Sequence, residues 1–141
     1  MTFKALRILI GIVTAFVALT AIGGGLALFF GLEASRFPVE WLQGTPFMDY
    51  TIPGLILAIA VGGSSLAATV LIFARNPAYP LVSMISGCLL VGFIIVEVLI
   101  LKQVPPGPTV TELFYFVIGG LIILGALYVR IAENRLNRKA V

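Results

Sequence analysis

Residues 92–102 read GFIIVEVLILK, one carboxylate, Glu97, inside a run otherwise as apolar as lipid. A carboxylate at the centre of a bilayer helix costs about 3 kcal/mol even on lenient insertion scales, so its presence calls for a reason. The run belongs to a longer stretch, Ala78 to Leu101, that holds no other charge. Ile8 to Leu32, Tyr50 to Ala74 and Leu113 to Val129 are uncharged throughout. About 20 apolar residues in a helix cross a hydrocarbon core of about 30 Å. Transmembrane strands would alternate with period 2, and these runs do not. The sequence therefore predicts an all-α integral membrane four-helix bundle in a single domain, 1–141. Its spans fall at about 8–32, 50–74, 78–101 and 110–130, with one long outer loop over 33–49 and a basic tail over 131–141.

Composition leads to the same class. Of 141 residues, 60% are hydrophobic and 11% charged, with a mean hydropathy of +1.15. Soluble domains carry about 25% charged residues, and no soluble fold of this size has interior enough for so much apolar surface. There is no His and one Cys, Cys88. Haem and most catalytic zinc sites need His, and disulfides and iron–sulfur clusters need more than one Cys. No metal or cofactor is expected, and Cys88 reads as a buried small hydrophobe. No nucleophile–base pair assembles from the spans, so no enzyme activity is expected. Lys4 and Arg7 precede the first apolar run as in a signal peptide. That run is longer than an h-region and has no A-x-A site, so it is expected to stay as a helix.

Local signals punctuate the spans. Asn76-Pro77 predicts an N-cap followed by proline at the first helical position. Thr109 to Glu112 has capping-box spacing just after Pro105-Pro106-Gly107-Pro108, and Thr51 with Pro53 gives a similar start to the second span. With both termini on one side, that side holds seven basic residues: Lys4, Arg7, Arg75, Arg130, Arg135, Arg138 and Lys139. The other side holds Arg36 and Lys102. The positive-inside rule then places both termini in the cytoplasm. The net charge of +3 reflects topology and anionic lipid headgroups, so the bilayer is the expected partner and nucleic acid is not.

The outer loop contains RFPVEWLQG, residues 36–44, which reads as a short interfacial helix starting near Pro38 and ending at Gly44. Phe37, Trp41 and Phe47 are its expected anchors at headgroup level. The loop serves either as a lid over helix ends or as a docking surface or gate. The tail is expected to continue the fourth helix.

Small residues recur at helical spacing. Gly54, Ala58 and Gly62 repeat every four residues and Ser65 and Thr69 extend their face; Gly11 with Ala15, and Ala27 with Gly31, form pairs on the first helix. Such faces let helices approach closely, within the bundle or against another subunit.

Ser83, Ser86, Leu90 and Glu97 fall within roughly 60° on the third helix and should point into the bundle. Glu97 lies five residues before Lys102, about 7–8 Å below the outer boundary. Two readings stay open. Arg36, Tyr50 or loop backbone satisfies Glu97 and pins the loop, or Glu97 lies at the base of an outward cavity, with Ser83 and Ser86 nearby, and binds a cation, a proton or a ligand amine. No other span is expected to hold a titratable group, so a proton pump is disfavoured.

The stretch GTPFMDYTIPGLILA, residues 44–58, resembles a segment of small four-span bacterial inner-membrane proteins of unknown function. Size and helix count are similar to the DoxX-like group. The resemblance implies a bacterial or archaeal inner-membrane protein with four spans and carries over no functional residue. Together these features predict a small accessory or scaffold subunit that packs with itself or a larger membrane complex. The alternative is an oligomeric binding or transport module that uses Glu97 and the outer loop for a small cation, a proton or a lipid-like ligand.

Overall fold

The structure, a computed structural model, describes residues 3–32, 38–101 and 108–140. Helix α1 runs Phe3–Phe29, a single 3₁₀ turn covers Val39–Leu42, and α2 covers Thr51–Phe73. Helix α3 spans Tyr79–Ile100 and α4 Val110–Ala140. All four helices are long and apolar enough to cross a membrane, and there are no strands among the described residues. Leu19, Ile59 and Leu99 are 76%, 69% and 77% exposed. Surface as apolar as this suits lipid and not water.

The helices neighbour one another in chain order, and the seam between α1 and α4 is the thinnest. Phe16 of α1 bridges that seam, stacked on Tyr115 of α4 with centroids 6.2 Å apart. The main core joins Val17, Ala21, Val61, Leu90, Ile94 and Ile122 from all four helices. A second cluster, Ile10, Ile72, Tyr79 and Val129, closes the end that carries both termini.

Glycine decides how closely the helices come together. A Cβ on Gly25 would stand 2.5 Å from the Gly54 carbonyl oxygen and 2.6 Å from the Ala58 nitrogen. One on Gly54 would stand 2.6 Å from the Gly25 carbonyl oxygen. At Gly62 it would meet Ile22 Cγ1 at 2.5 Å, so α1 and α2 touch backbone to backbone along the Gly54, Ala58, Gly62 face. Helices α3 and α4 do the same at Gly87 and Gly119, where a Cβ on Gly87 would lie 2.9 Å from the Gly119 carbonyl oxygen. Gly11 faces the Ile72 and Phe73 side chains at 3.0 and 3.1 Å, and Ala15 is half-buried one turn on.

Several details depart from the sequence reading. The Ala27 and Gly31 pair is not a packing face: Gly31 has φ 74° and terminates α1, with Leu32 N–H donating to the Ala27 carbonyl at 2.9 Å. This is the left-handed helix stop that glycine favours. Arg75, at φ 57°, ends α2 in the same way, with Asn76 N–H donating to the Leu71 carbonyl at 2.9 Å. Asn76 does not cap α3, because its Oδ1 accepts from Ala78 N–H at 2.9 Å and holds the turn while the helix starts at Tyr79, with Pro80 in its first turn. Asp49 Oδ1 accepts from Thr51 N–H at 3.0 Å at the start of α2. Hydrogen bonds from the Thr51 backbone and side chain hold that carboxyl below its ordinary value. Within α2, Leu57–Gly62 forms a π-helical stretch that precedes Gly63. Two successive glycines hold the α conformation weakly, which lets the wider turn form against Ile22.

The clamp gives a direct prediction. Gly54→Ala forces a methyl into the α1 backbone, and overpacking of this kind costs about 1–3 kcal/mol. Gly63→Ala, with nothing within 4 Å of the added Cβ, should be neutral or slightly stabilising. Thermal unfolding of the two variants in mild detergent, followed by circular dichroism, should show a lowered midpoint for the first alone.

A candidate binding cavity at the loop end

Helix α3 turns one stripe inward: Tyr79, Pro80, Ser83, Ser86, Gly87, Leu90 and Ile94 are buried. Glu97 follows Ile94 by three residues and so continues that stripe into the last turn of α3. Two cavities meet there, and Glu97, Phe93 and Leu28 line both. The first, about 430 Å³, lies among α1, α3 and α4 and is walled by Thr20, Thr109, Thr111, Glu112, Tyr115 and Trp41. The second, about 400 Å³, lies between α2 and α3 beneath Leu42, Phe47 and Tyr50 and is almost wholly apolar.

Glu112 is the residue that sequence reasoning did not assign to the site. Thr109 Oγ1 accepts from Glu112 N–H at 3.3 Å, the forward arm of the capping box. The Glu112 side chain, 6% exposed, lines the first cavity together with Glu97. The expectation that no other span holds a titratable group is therefore corrected. The signal was in the sequence: Glu97 lies just before the 102–108 connection and Glu112 just after it, so the two share one end of the bundle.

The backbone adds to this charge pattern. Glu112 occupies the first turn of α4, where the helix dipole partly offsets a carboxylate. Glu97 occupies the last turn of α3, where the helix dipole places about half a negative charge. Among the described residues no Lys or Arg lines either cavity.

Below the site the bundle is closed. Val17, Ala21, Leu90 and Ile94 form the floor of the first cavity and belong to the main core. Ser83 and Ser86 lie beneath this floor and line neither cavity, 14 and 11 residues before Glu97 and so about 21 and 16 Å along the helix. Their assignment as ligand-binding residues beside Glu97 is corrected: they share its face but not its depth. Ser86 and Ser65 hydroxyls pair at 2.7 Å, fully buried. Thr69 Oγ1 donates to the Ser65 carbonyl at 2.9 Å and pairs with Thr14 Oγ1 at 2.9 Å. Ser83 Oγ is buried with no hydrogen-bond partner among the described residues.

The loop residues cover the site. Tyr50, 8% exposed, donates its hydroxyl to the Pro38 carbonyl at 3.0 Å and so ties the segment down. Pro38 is extended at φ −61°, ψ 143°, and the expected helix over 36–44 reduces to the four-residue turn Val39–Leu42. Trp41 and Phe47 are half-buried and each lines a cavity. Arg36 and Phe37 lie outside the described residues. Cys88 is exposed on the face of α3 and lines the second cavity, which corrects its reading as a buried hydrophobe.

No protein-family model matches the chain, and comparisons with curated proteins and with solved structures find no match.

The buried hydroxyls separate by a simple test. Ser86→Ala leaves the Ser65 hydroxyl without its partner and should destabilise by about 0.5–1.5 kcal/mol, the range for interhelical hydrogen bonds in membranes. Ser83→Ala removes an unpaired hydroxyl and should leave stability unchanged or raised. Unfolding in mixed micelles with increasing denaturing detergent measures both.

Proposed function

We propose that this chain is a membrane-embedded binding module for a small cation-bearing ligand, which enters at the loop end and is held by Glu97. The observation that carries this reading is that Glu97 and Glu112, from two different spans, line one cavity of about 430 Å³. An ionisable side chain inside a membrane usually marks a substrate or ion site. Here two such groups face a space large enough for a ligand, and the α3 carbonyl end adds to their field. The closed floor at Leu90 and Ile94 favours capture over a through-pathway, and no catalytic role is inferred.

The distribution of Lys and Arg supports an orientation. The basic residues gather at the end that carries the termini, so that end is cytoplasmic and the cavity opens outward. With the segment over 44–58 as it stands, we infer a bacterial inner-membrane location. The turn Val39–Leu42 and Tyr50 would then act as the cover through which the ligand passes.

The second reading is an accessory subunit. It rests on the short loops, on the lack of a catalytic constellation and on small-residue faces, of which Gly25, Gly54 and Gly62 are taken up by the chain's own helices. Gly23, Gly63, Gly92 and Gly120 have open space around them and keep that reading in play.

Native mass spectrometry after gentle solubilisation compares the two. Wild-type protein should carry a bound small molecule or, after exposure to tetraethylammonium, that cation, and Glu97→Gln should lose it. A second chain in fixed stoichiometry would favour the accessory subunit. A bare chain unaffected by the substitution would contradict the binding reading.

A further inference from the structure

Two further cavities adjoin at the opposite end of the bundle, the end that carries both termini. One, about 600 Å³, is walled by Lys4 and Arg7 of α1, Arg75 of the α2–α3 turn, Tyr79 and Glu133. The other, about 330 Å³, is walled by Arg135 and Lys139 of α4, with Tyr128 and Ile131 further into the span. Phe3 and Leu136 line both, so the two spaces share a wall. Lys4 and Arg7, three residues apart, fall on one face of α1, and Arg135 and Lys139, four apart, on one face of α4. The single carboxylate among the described lining residues is Glu133, which a long hydrogen bond of 3.5 Å from the Tyr79 hydroxyl holds against α3. Glu133 offsets one of the three cations beside it, so each cavity keeps two positive charges in excess.

Arg75 adds a separate observation. Its φ of 57° is a left-handed conformation that glycine adopts freely and a side chain resists. Gly31 fills the equivalent place at the end of α1. The turn alone would be better served by glycine, and the arginine side chain lines the larger cavity. Tyr128 and Ile131 are exposed on the apolar surface, so the cavities lie where that surface gives way to charged helix ends. Basic pockets between helices at this level fit lipid headgroups.

We propose that the two cavities together bind one anionic lipid that carries two phosphates joined by a short bridge, of the diphosphatidylglycerol class. One phosphate lies among Lys4, Arg7 and Arg75 and the other between Arg135 and Lys139, and the bridge passes Phe3 and Leu136. The acyl chains leave across Tyr128 and Ile131 into the bilayer. Arginine suits the site because its planar fork donates two hydrogen bonds to one phosphate, while lysine supplies a point charge. A lipid with one phosphate reaches one cavity only. A free phosphate draws nothing from the apolar side chains at the mouth.

Native mass spectrometry of the full chain in mild detergent, with lipid added in known amounts, tests this. Diphosphatidylglycerol is compared with phosphatidylglycerol at twice the concentration, so that phosphate is equal. The expected result is one diphosphatidylglycerol per chain, held at least tenfold more tightly than phosphatidylglycerol. Arg75→Gly, which gives the turn the residue its backbone prefers, should weaken binding about fivefold, and Arg135→Gln by a similar factor, the usual contribution of one cation beside anionic lipid. Arg138→Gln, in the same tail but outside both cavity walls, should change it less than twofold. The lipid comparison uses wild-type protein alone, so the proposal is tested even if a variant folds poorly. Equal affinity for the two lipids at equal phosphate overturns the two-phosphate site. Equal losses from Arg138→Gln and Arg75→Gly mean attraction to a basic surface only and overturn the defined site. Displacement of the lipid by an equal concentration of pyrophosphate makes the ligand a free anion and overturns the lipid.

Discussion

The bundle depends on two places where helix backbones touch. In a bilayer no hydrophobic force drives helices together, so association comes from close van der Waals contact and interhelical hydrogen bonds. Gly25 against Gly54 and Ala58 supplies the first contact, and Gly87 against Gly119 the second. These contacts bind α1 to α2 and α3 to α4 as two tight pairs. The remaining space lies between the pairs, and both cavities at the loop end are found there. Lower down, Ser65 with Ser86 joins α2 to α3, and the main core fills the centre.

This arrangement explains how the chain tolerates Glu97. The carboxylate stands in the last turn of α3, at the meeting of two cavities and under a segment tied by Tyr50 to Pro38. A second carboxylate from α4 faces the same space. The cost of the two acidic groups is offset by position near a helix end and, in the proposed function, by a cationic ligand. The hydrophobic floor separates this charged end from the paired hydroxyls below, so polar groups occur at two depths without forming a continuous path.

The sequence disclosed the architecture well because bilayer thickness imposes length and polarity on every span, and the uncharged runs stand out directly. The inward face of α3 followed from the 100° step between residues. What it disclosed less well were depth and partnership. Ser83 and Ser86 share an angular position with Glu97, but angle says nothing of the roughly 16–21 Å between them and it along the axis. Glu112 fitted a local capping pattern, and that explanation hid the direction of its side chain. Gly87 and Gly119 lie on different helices and show no internal repeat, so only the three-dimensional contact picks them out. The 3₁₀ turn Val39–Leu42 was read as a longer helix because Pro38 and Gly44 resemble helix boundaries, whereas Pro38 is extended and only one turn forms before Gln43.

The central claim is that position 97 faces a water-open, acidic cavity reached from the loop end. The most direct measurement places a thiol there, Glu97→Cys in a Cys88→Ser background, in oriented proteoliposomes. Membrane-impermeant thiol reagents of either charge are then added from each side. The account predicts modification from the loop side only, faster with the cationic reagent than with the anionic one because Glu112 remains. A thiol unreactive from both sides, or reactive from the termini side, would contradict it.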